Sequence, residues 1–107
     1  MLNLTPHQIT VRSQDGTDHV FPPSGQLARV ATTEVVVGSC PVTGAAIVSR
    51  TLGAPQGLPE AGTPCLVSAM VAGSCHGRPG VFAPDSGPSA IRDDRGLVVA
   101  VTRLVAA

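Results

Sequence analysis

Gln8-Ile9-Thr10-Val11-Arg12-Ser13-Gln14-Asp15-Gly16-Thr17-Asp18-His19-Val20-Phe21 decides the class of fold. Its first five residues alternate polar and apolar, the period of a half-buried strand. Ser13-Gln14-Asp15-Gly16 follows, and Asp-Gly suits the positive φ of a tight hairpin turn. Residues 17–21 then return antiparallel. Pro22-Pro23-Ser24-Gly25 stops them, because proline has no N–H to give to a ladder.

The same grammar extends along the chain. Twelve glycines and ten prolines fall between short apolar runs, the mark of many turns joining short strands. Residues 26–31 and 34–38 read as two further strands, Cys40-Pro41-Val42-Thr43-Gly44 as a turn, and residues 45–51 as the returning strand. Residues 53–64, with Pro55, Pro59 and Pro64, read as an irregular surface loop of the length used for lids and binding loops. Cys65-Leu66-Val67 is a short strand. Ser68 is then a good N-cap for a helix over about residues 68–76, with Gly77 suited to the left-handed position after it. Val81-Phe82-Ala83 is extended, and residues 89–92 and 97–105 form a hairpin around Asp93-Asp94-Arg95-Gly96. Leu97-Val98-Val99-Ala100-Val101 is apolar on both faces, which places it centrally in a sheet. The expected fold is α+β, mostly β: a compact antiparallel or mixed sheet, barrel-like, with one short helix, in a single domain over residues 1–107.

Composition removes whole classes of function. Among 107 residues, seven basic and seven acidic side chains cancel, so there is no electrostatic footprint for a nucleic-acid polymer or an anionic membrane. Every basic residue is arginine, which excludes lysine Schiff-base chemistry. Phe21 and Phe82 are the only aromatics, too few for a base-stacking platform within one chain. No apolar run has the length of a membrane span, and Met1-Leu2-Asn3-Leu4-Thr5-Pro6 lacks the basic and apolar regions of a signal peptide. Cys40, Cys65 and Cys75 are odd in number and irregular in spacing, unlike a secreted disulfide framework. The expected compartment is the cytoplasm, with the thiols reduced.

Catalytic and cofactor motifs are weak or missing. Cys40, Cys65, Cys75 and His76 supply zinc-type atoms but no Cys-x-x-Cys pair, and reading them as core thiols and a helix-end histidine is preferred. Cys75 or Ser68 with His7, His19 or His76 has no nucleophile-elbow context. Asp93-Asp94 is explained by a polar hairpin tip. No Walker loop or dinucleotide fingerprint is present, and no cofactor is expected. The strand–Ser68–helix junction offers free N–H groups to an anion, and the loop Asp85-Ser86-Gly87-Pro88 with Arg92 adds polarity. Arg29 interrupts Leu27-Ala28-Arg29-Val30-Ala31, either on a solvated sheet face or beside a polar pocket.

Several segments together carry a resemblance. They are Asn3-Leu4-Thr5-Pro6-His7, Phe21-Pro22-Pro23-Ser24-Gly25 with Ala28-Arg29-Val30, Gly57-Leu58-Pro59-Glu60, Val67-Ser68, and Ala83-Pro84-Asp85-Ser86-Gly87-Pro88-Ser89-Ala90-Ile91-Arg92-Asp93. The chain resembles, over almost its whole length, a family of small uncharacterised proteins of bacteriophages, prophages and bacterial genomes. Ser86 stands where threonine is expected, which keeps the hydroxyl. That resemblance implies a phage-type protein acting in the cytoplasm of a bacterial host, and proteins of this style act by binding. Some counter-defence proteins of similar size hold cyclic or ADP-ribose-type nucleotides between protomers.

The motif residues that would line such a site are Asn3, Thr5, His7, Ser24, Arg29, Ser68, Asp85, Ser86 and Arg92. Arg29 and Arg92 would neutralise phosphate, the Ser68 helix start would donate N–H groups, and Asp85 and Ser86 would read ribose or base edges. The leading expectation is a non-enzymatic homo-oligomer that sequesters a small anionic, nucleotide-like ligand. A second is a protein–protein interaction module that inhibits or modulates a host factor through residues 53–64 or an uncovered strand edge. A third is a small hydrolase or transferase using His7 with Asp85 or Cys75.

Overall fold

The computed structural model describes all residues 1–107. In chain order the elements are β1 (Leu2–Asn3), β2 (Ile9–Arg12), β3 (Asp18–Phe21), β4 (Arg29–Ser39), β5 (Ala46–Gln56), β6 (Cys65–Leu66), α1 (Ala69–Ser74), β7 (Val81–Pro84), β8 (Ile91–Arg92), β9 (Val98–Ala100) and β10 (Leu104–Ala106). The fold is mostly β with one short helix, as the sequence implies. It is not a closed barrel. One four-stranded sheet of order β1-β6-β7-β10 is accompanied by three separate hairpins, β2-β3, β4-β5 and β8-β9.

The first hairpin forms where its alternation predicts. Ile9 pairs with Phe21 and Arg12 with Asp18, and the Arg12 Nε–H donates to Asp18 Oδ1 at 2.7 Å. Gly16 takes φ +86° in the turn, a conformation that costs an L-residue about 1–2 kcal/mol. The hairpin joins the C-terminal part of the chain through Val101. The Val101 N–H donates to the Thr10 carbonyl at 2.9 Å, and its carbonyl accepts from the Arg12 N–H at 2.8 Å.

The small sheet is mixed. β1 runs parallel to β6 and β6 parallel to β7, while β10 is antiparallel to β7. Parallel strands need cover on both faces, and Cys65 and Leu66 are accordingly sealed from solvent. Leu4, Cys65, Val67, Val71, Ala72, Val81 and Ala83 form the core. α1 supplies Val71 and Ala72 to it. The helix begins as expected, with Ser68 Oγ accepting from the Val71 N–H at 3.2 Å. It ends earlier than expected, at Ser74, with Cys75 as the C-cap. His76 therefore lies beyond it. Gly77, at φ +84°, donates its N–H to the Ala107 carbonyl at 2.9 Å.

Three sequence expectations need correction. Residues 26–31 and 34–38 are not two strands: β4 is continuous, with register irregularities between Val30 and Thr32 and between Val36 and Gly38. Local turn signals are absent at Thr32-Thr33, and the β-branched pair extends the strand. The loop expected from residue 53 begins later, because Gly53, Ala54, Pro55 and Gln56 complete β5. Pro55 is tolerated there because β5 has a free edge. Nor is the apolar run 97–101 central. Its first three residues, Leu97, Val98 and Val99, are exposed in the β8–β9 hairpin, and only Ala100 and Val101 are buried.

Compactness is also overturned. Only 12 residues are buried, and the radius of gyration is 16.5 Å, against about 13 Å for a compact chain of this length. The cause is the β4–β5 hairpin, which leaves the body as an arm.

Candidate functional site

The nine candidate residues fall into two groups and one outlier. Asn3, Thr5, His7 and Ser24 share the N-terminal turn. Ser68, Asp85, Ser86 and Arg92 lie around the segment following β7. Arg29 stands apart, exposed at the base of the arm and opposite Gln56.

In the N-terminal group the polar atoms are turned inward. Asn3 is 1% exposed. Its amide nitrogen donates to the carbonyls of His7 at 2.7 Å and Phe21 at 2.8 Å. Its side-chain oxygen accepts from the Thr5 N–H at 3.0 Å and the Thr5 hydroxyl at 2.7 Å. Both amide hydrogens and both lone pairs are thus engaged, the full capacity of the side chain. Asn3 and Thr5 have nothing left for a ligand and instead shape the turn that carries His7. Ser24 forms a local turn with Gln26, whose N–H donates to its hydroxyl at 3.3 Å. The His7 side chain is exposed.

The second group builds a polar ridge. Asp85 Oδ2 accepts two bonds from Arg103, at 3.0 and 2.7 Å, and one from the Ser89 hydroxyl at 3.2 Å. Its Oδ1 accepts from the Gly87 N–H at 3.1 Å. These partners, Arg103 first, hold the Asp85 carboxyl below its ordinary range. A depressed carboxyl stabilises the fold above the ordinary carboxylate range near pH 4 and ceases to do so as pH falls through its folded value. Asp15, lowered to about 2 by Ser13 and Thr17, behaves alike. Urea midpoints measured from neutral pH into acid should therefore fall, and Asp85→Asn should flatten part of that fall. An unchanged acid slope in the variant would show that Asp85 is not involved.

Arg92 is held differently. Its two terminal nitrogens donate to the carbonyls of Gly96 at 2.8 Å and Ser86 at 2.9 Å. No carboxylate pairs with it, whereas Arg12, Arg50 and Arg103 are paired with Asp18, Glu34 and Asp85. Two of its five N–H donors are spent, and the rest face solvent on an oriented side chain.

Two clefts meet at Ser86. One, of about 370 Å³, lies between α1 (Ala69, Ala72, Gly73), His76 and the loop Asp85-Ser86-Gly87. The helix start and the Asp85 loop do face a common space. The other, of about 340 Å³, is bounded by Gln8, Ile9, Thr10, Pro84, Ser86 and the run 98–101. Both are in the range of small-molecule sites. Residue 8 brings the chain that carries His7 to the edge of the second, and Arg92 adjoins it through Ser86 and its partner Val98.

Other sequence candidates are not assembled. No group of three or more His, Cys, Asp or Glu comes together in a metal-binding arrangement, so Cys40, Cys65, Cys75 and His76 do not form the zinc-type set. Cys65 lies in the core, where burial pushes its thiol up, and the Cys75 thiol donates to the Val71 carbonyl at 3.3 Å. The bonds of Ser68, Cys75 and Asp85 all go to partners other than histidine. Asp93 caps its own turn, accepting from the N–H groups of Arg95 and Leu97. Arg103 was missed by sequence reasoning, and His76, weighed there as a zinc-type or helix-end residue, lines the first cleft. Arg103 breaks an apolar run as Arg29 does, and that signal was available.

Comparison with known protein families, curated proteins and solved structures gives no match in any of the three. The class defined by the coordinates is a mostly-β α+β domain with a protruding hairpin arm. Its function rests on the chain's own chemistry.

Proposed function

We propose that the protein acts by binding, and that its ligand is a small anionic, nucleotide-like molecule seated at the Ser86 ridge. The observation that carries this reading is Arg92. Its guanidinium is oriented by two carbonyls, is neutralised by no carboxylate, and stands beside a cleft walled by Gln8, Thr10 and Ser86. A fixed arginine fork with free donors suits a phosphate or carboxylate. Ser86 and the Gln8 and Thr10 side chains supply polar groups for the rest of the ligand. Asp85 sets the loop through Arg103 and Gly87 rather than touching the anion. The motif resemblance to small phage and prophage proteins supports a sequestering, counter-defence role in the cytoplasm of a bacterial host.

Titration calorimetry against a panel of mono-, di- and cyclic nucleotides tests this. Binding is expected, and Arg92→Ala should weaken it about 10–100-fold, the loss of a charge-assisted pair. No heat with any member at high micromolar ligand, or full affinity in the variant, would sink the reading. A second reading, a module engaging a host protein, draws on the exposed arm. Co-purification of a host protein in fixed stoichiometry, in place of a small molecule, would favour it.

A further inference from the structure

We infer that the β4–β5 arm is the contact by which two copies of this chain assemble, and that the monomer is an unfinished structure without it. This does not depend on the nucleotide reading.

The arm is long and bare. Each strand has 11 residues, about 36 Å at the usual rise. Every residue from 31 to 39 and from 41 to 54 is exposed. Near its base Leu52 lies over α1, where its Cδ1 is 3.9 Å from the position a Cβ would take at Gly73. Towards the tip nothing covers it: Val35, Val36 and Val37 are 59%, 67% and 63% exposed. Successive strand residues face opposite sides, so Val36 and Val48 lie on one face of the arm and Val35 on the other, and both faces are open towards the tip.

Area says what kind of surface it is. The chain exposes 6952 Å², whereas a compact monomer of 10.8 kDa exposes about 5,500 Å². The excess of about 1,400 Å² per chain is what each partner buries in an obligate homodimer, where totals start near 2,000 Å². The partner always present when the chain folds is another copy.

The arm is also self-complementary. The regular register Glu34–Arg50, Val35–Ser49, Val36–Val48 puts Glu34, Arg50, Val36 and Val48 on one face. Arg50 and Glu34 pair at 2.6 Å, and neither strand carries another charge beyond Arg29 at the base. A two-fold copy laid on this face would set valine against valine and Glu34 near the Arg50 of its mate. The register irregularities at residues 31 and 37 break the strand edges, which favours contact through the face.

Light scattering on the purified full chain at micromolar concentration tests the inference. A mass of twice the chain, or a higher even multiple, is expected. Val36→Glu, at a largely solvated position of the monomer, should shift the mass to that of one chain with an unchanged far-ultraviolet circular dichroism spectrum. If that variant does not fold, hydrogen exchange of the unaltered chain decides: amides of residues 33–37 and 47–51 should gain protection with rising concentration. A wild-type monomer with concentration-independent exchange would overturn the inference. So would an assembly indifferent to Val36→Glu, or a purified monomer that binds only a foreign protein through the arm.

Discussion

Asn3→Leu is expected to be among the most damaging single substitutions in the chain, although it swaps a polar side chain for an apolar one of similar size. The buried amide is a four-way junction. It ties the His7 and Phe21 carbonyls to the N–H and hydroxyl of Thr5. Leucine leaves the Thr5 N–H and hydroxyl without their buried acceptor and the half-buried His7 and Phe21 carbonyls without their donor, and each unpaired buried group costs about 1–3 kcal/mol. The groups relax together, so a total of about 3 kcal/mol is the sensible figure, or roughly 10–20 °C in Tm for a domain of this size. Thermal melts check it. A Tm within a few degrees of wild type would mean that the junction does not hold the N-terminal turn. Asn3→Ala and Thr5→Ala should also be far from additive, because either removal frees the same atoms.

The second large effect is at Gly80. Its φ is +81°, and a Cβ there would sit 2.7 Å from the Thr63 carbonyl oxygen and 2.9 Å from the Gly62 carbonyl carbon. Those atoms are backbone, and they are laced to the same turn. The Cys65 N–H donates to the Gly80 carbonyl at 2.8 Å, and the Gly62 N–H to the Pro79 carbonyl at 3.0 Å. Gly80→Ala must therefore push the entry of β6 away from the entry of β7. Gly96 is the control, with φ +80° and open space where the methyl would go. Gly96→Ala should cost only the left-handed penalty of about 1–2 kcal/mol. Gly80→Ala should cost at least ~2 kcal/mol more, in the range of overpacked cores. Equal losses in urea denaturation would show that the close approach relaxes without cost.

The two sites differ in how visible they were. The turn at Gly96 is written locally, in Asp93-Asp94-Arg95-Gly96 between apolar runs. The role of Gly80 depends on residues 62 and 63, which only the parallel pairing of β6 with β7 brings near. Asn3 reads as a ligand group because it is a polar residue of the Asn3-Leu4-Thr5-Pro6-His7 motif. Its true surroundings include the Phe21 carbonyl, 18 residues away. Among the other candidates, Asp85 and Ser86 line a cleft with Ala69, Ala72 and Gly73 of the helix, while Ser68 is not part of its wall. The placement of Arg92 against Ser86 was not foreseeable from spacing, since the β8–β9 turn carries it there.

By itself the sequence determined the strand-rich class, the hairpin turns at 13–16 and 93–96, the capped helix start at Ser68, and the absence of lysine and aromatic chemistry, whereas the strand expected over 97–105 is split into β9 and β10. Those are local matters: alternation, turn residues, a hydroxyl before a helix, and composition act over a few bonds. Only the tertiary structure decided which apolar runs are covered. Cys65-Leu66-Val67 and Val35-Val36-Val37 look equally fit for a core. The first is sealed between two parallel neighbours, and the second stands in solvent on an arm. Burial is a property of what packs against a residue, and two-residue strands such as β1 and β6 carry no periodicity that could announce their partners.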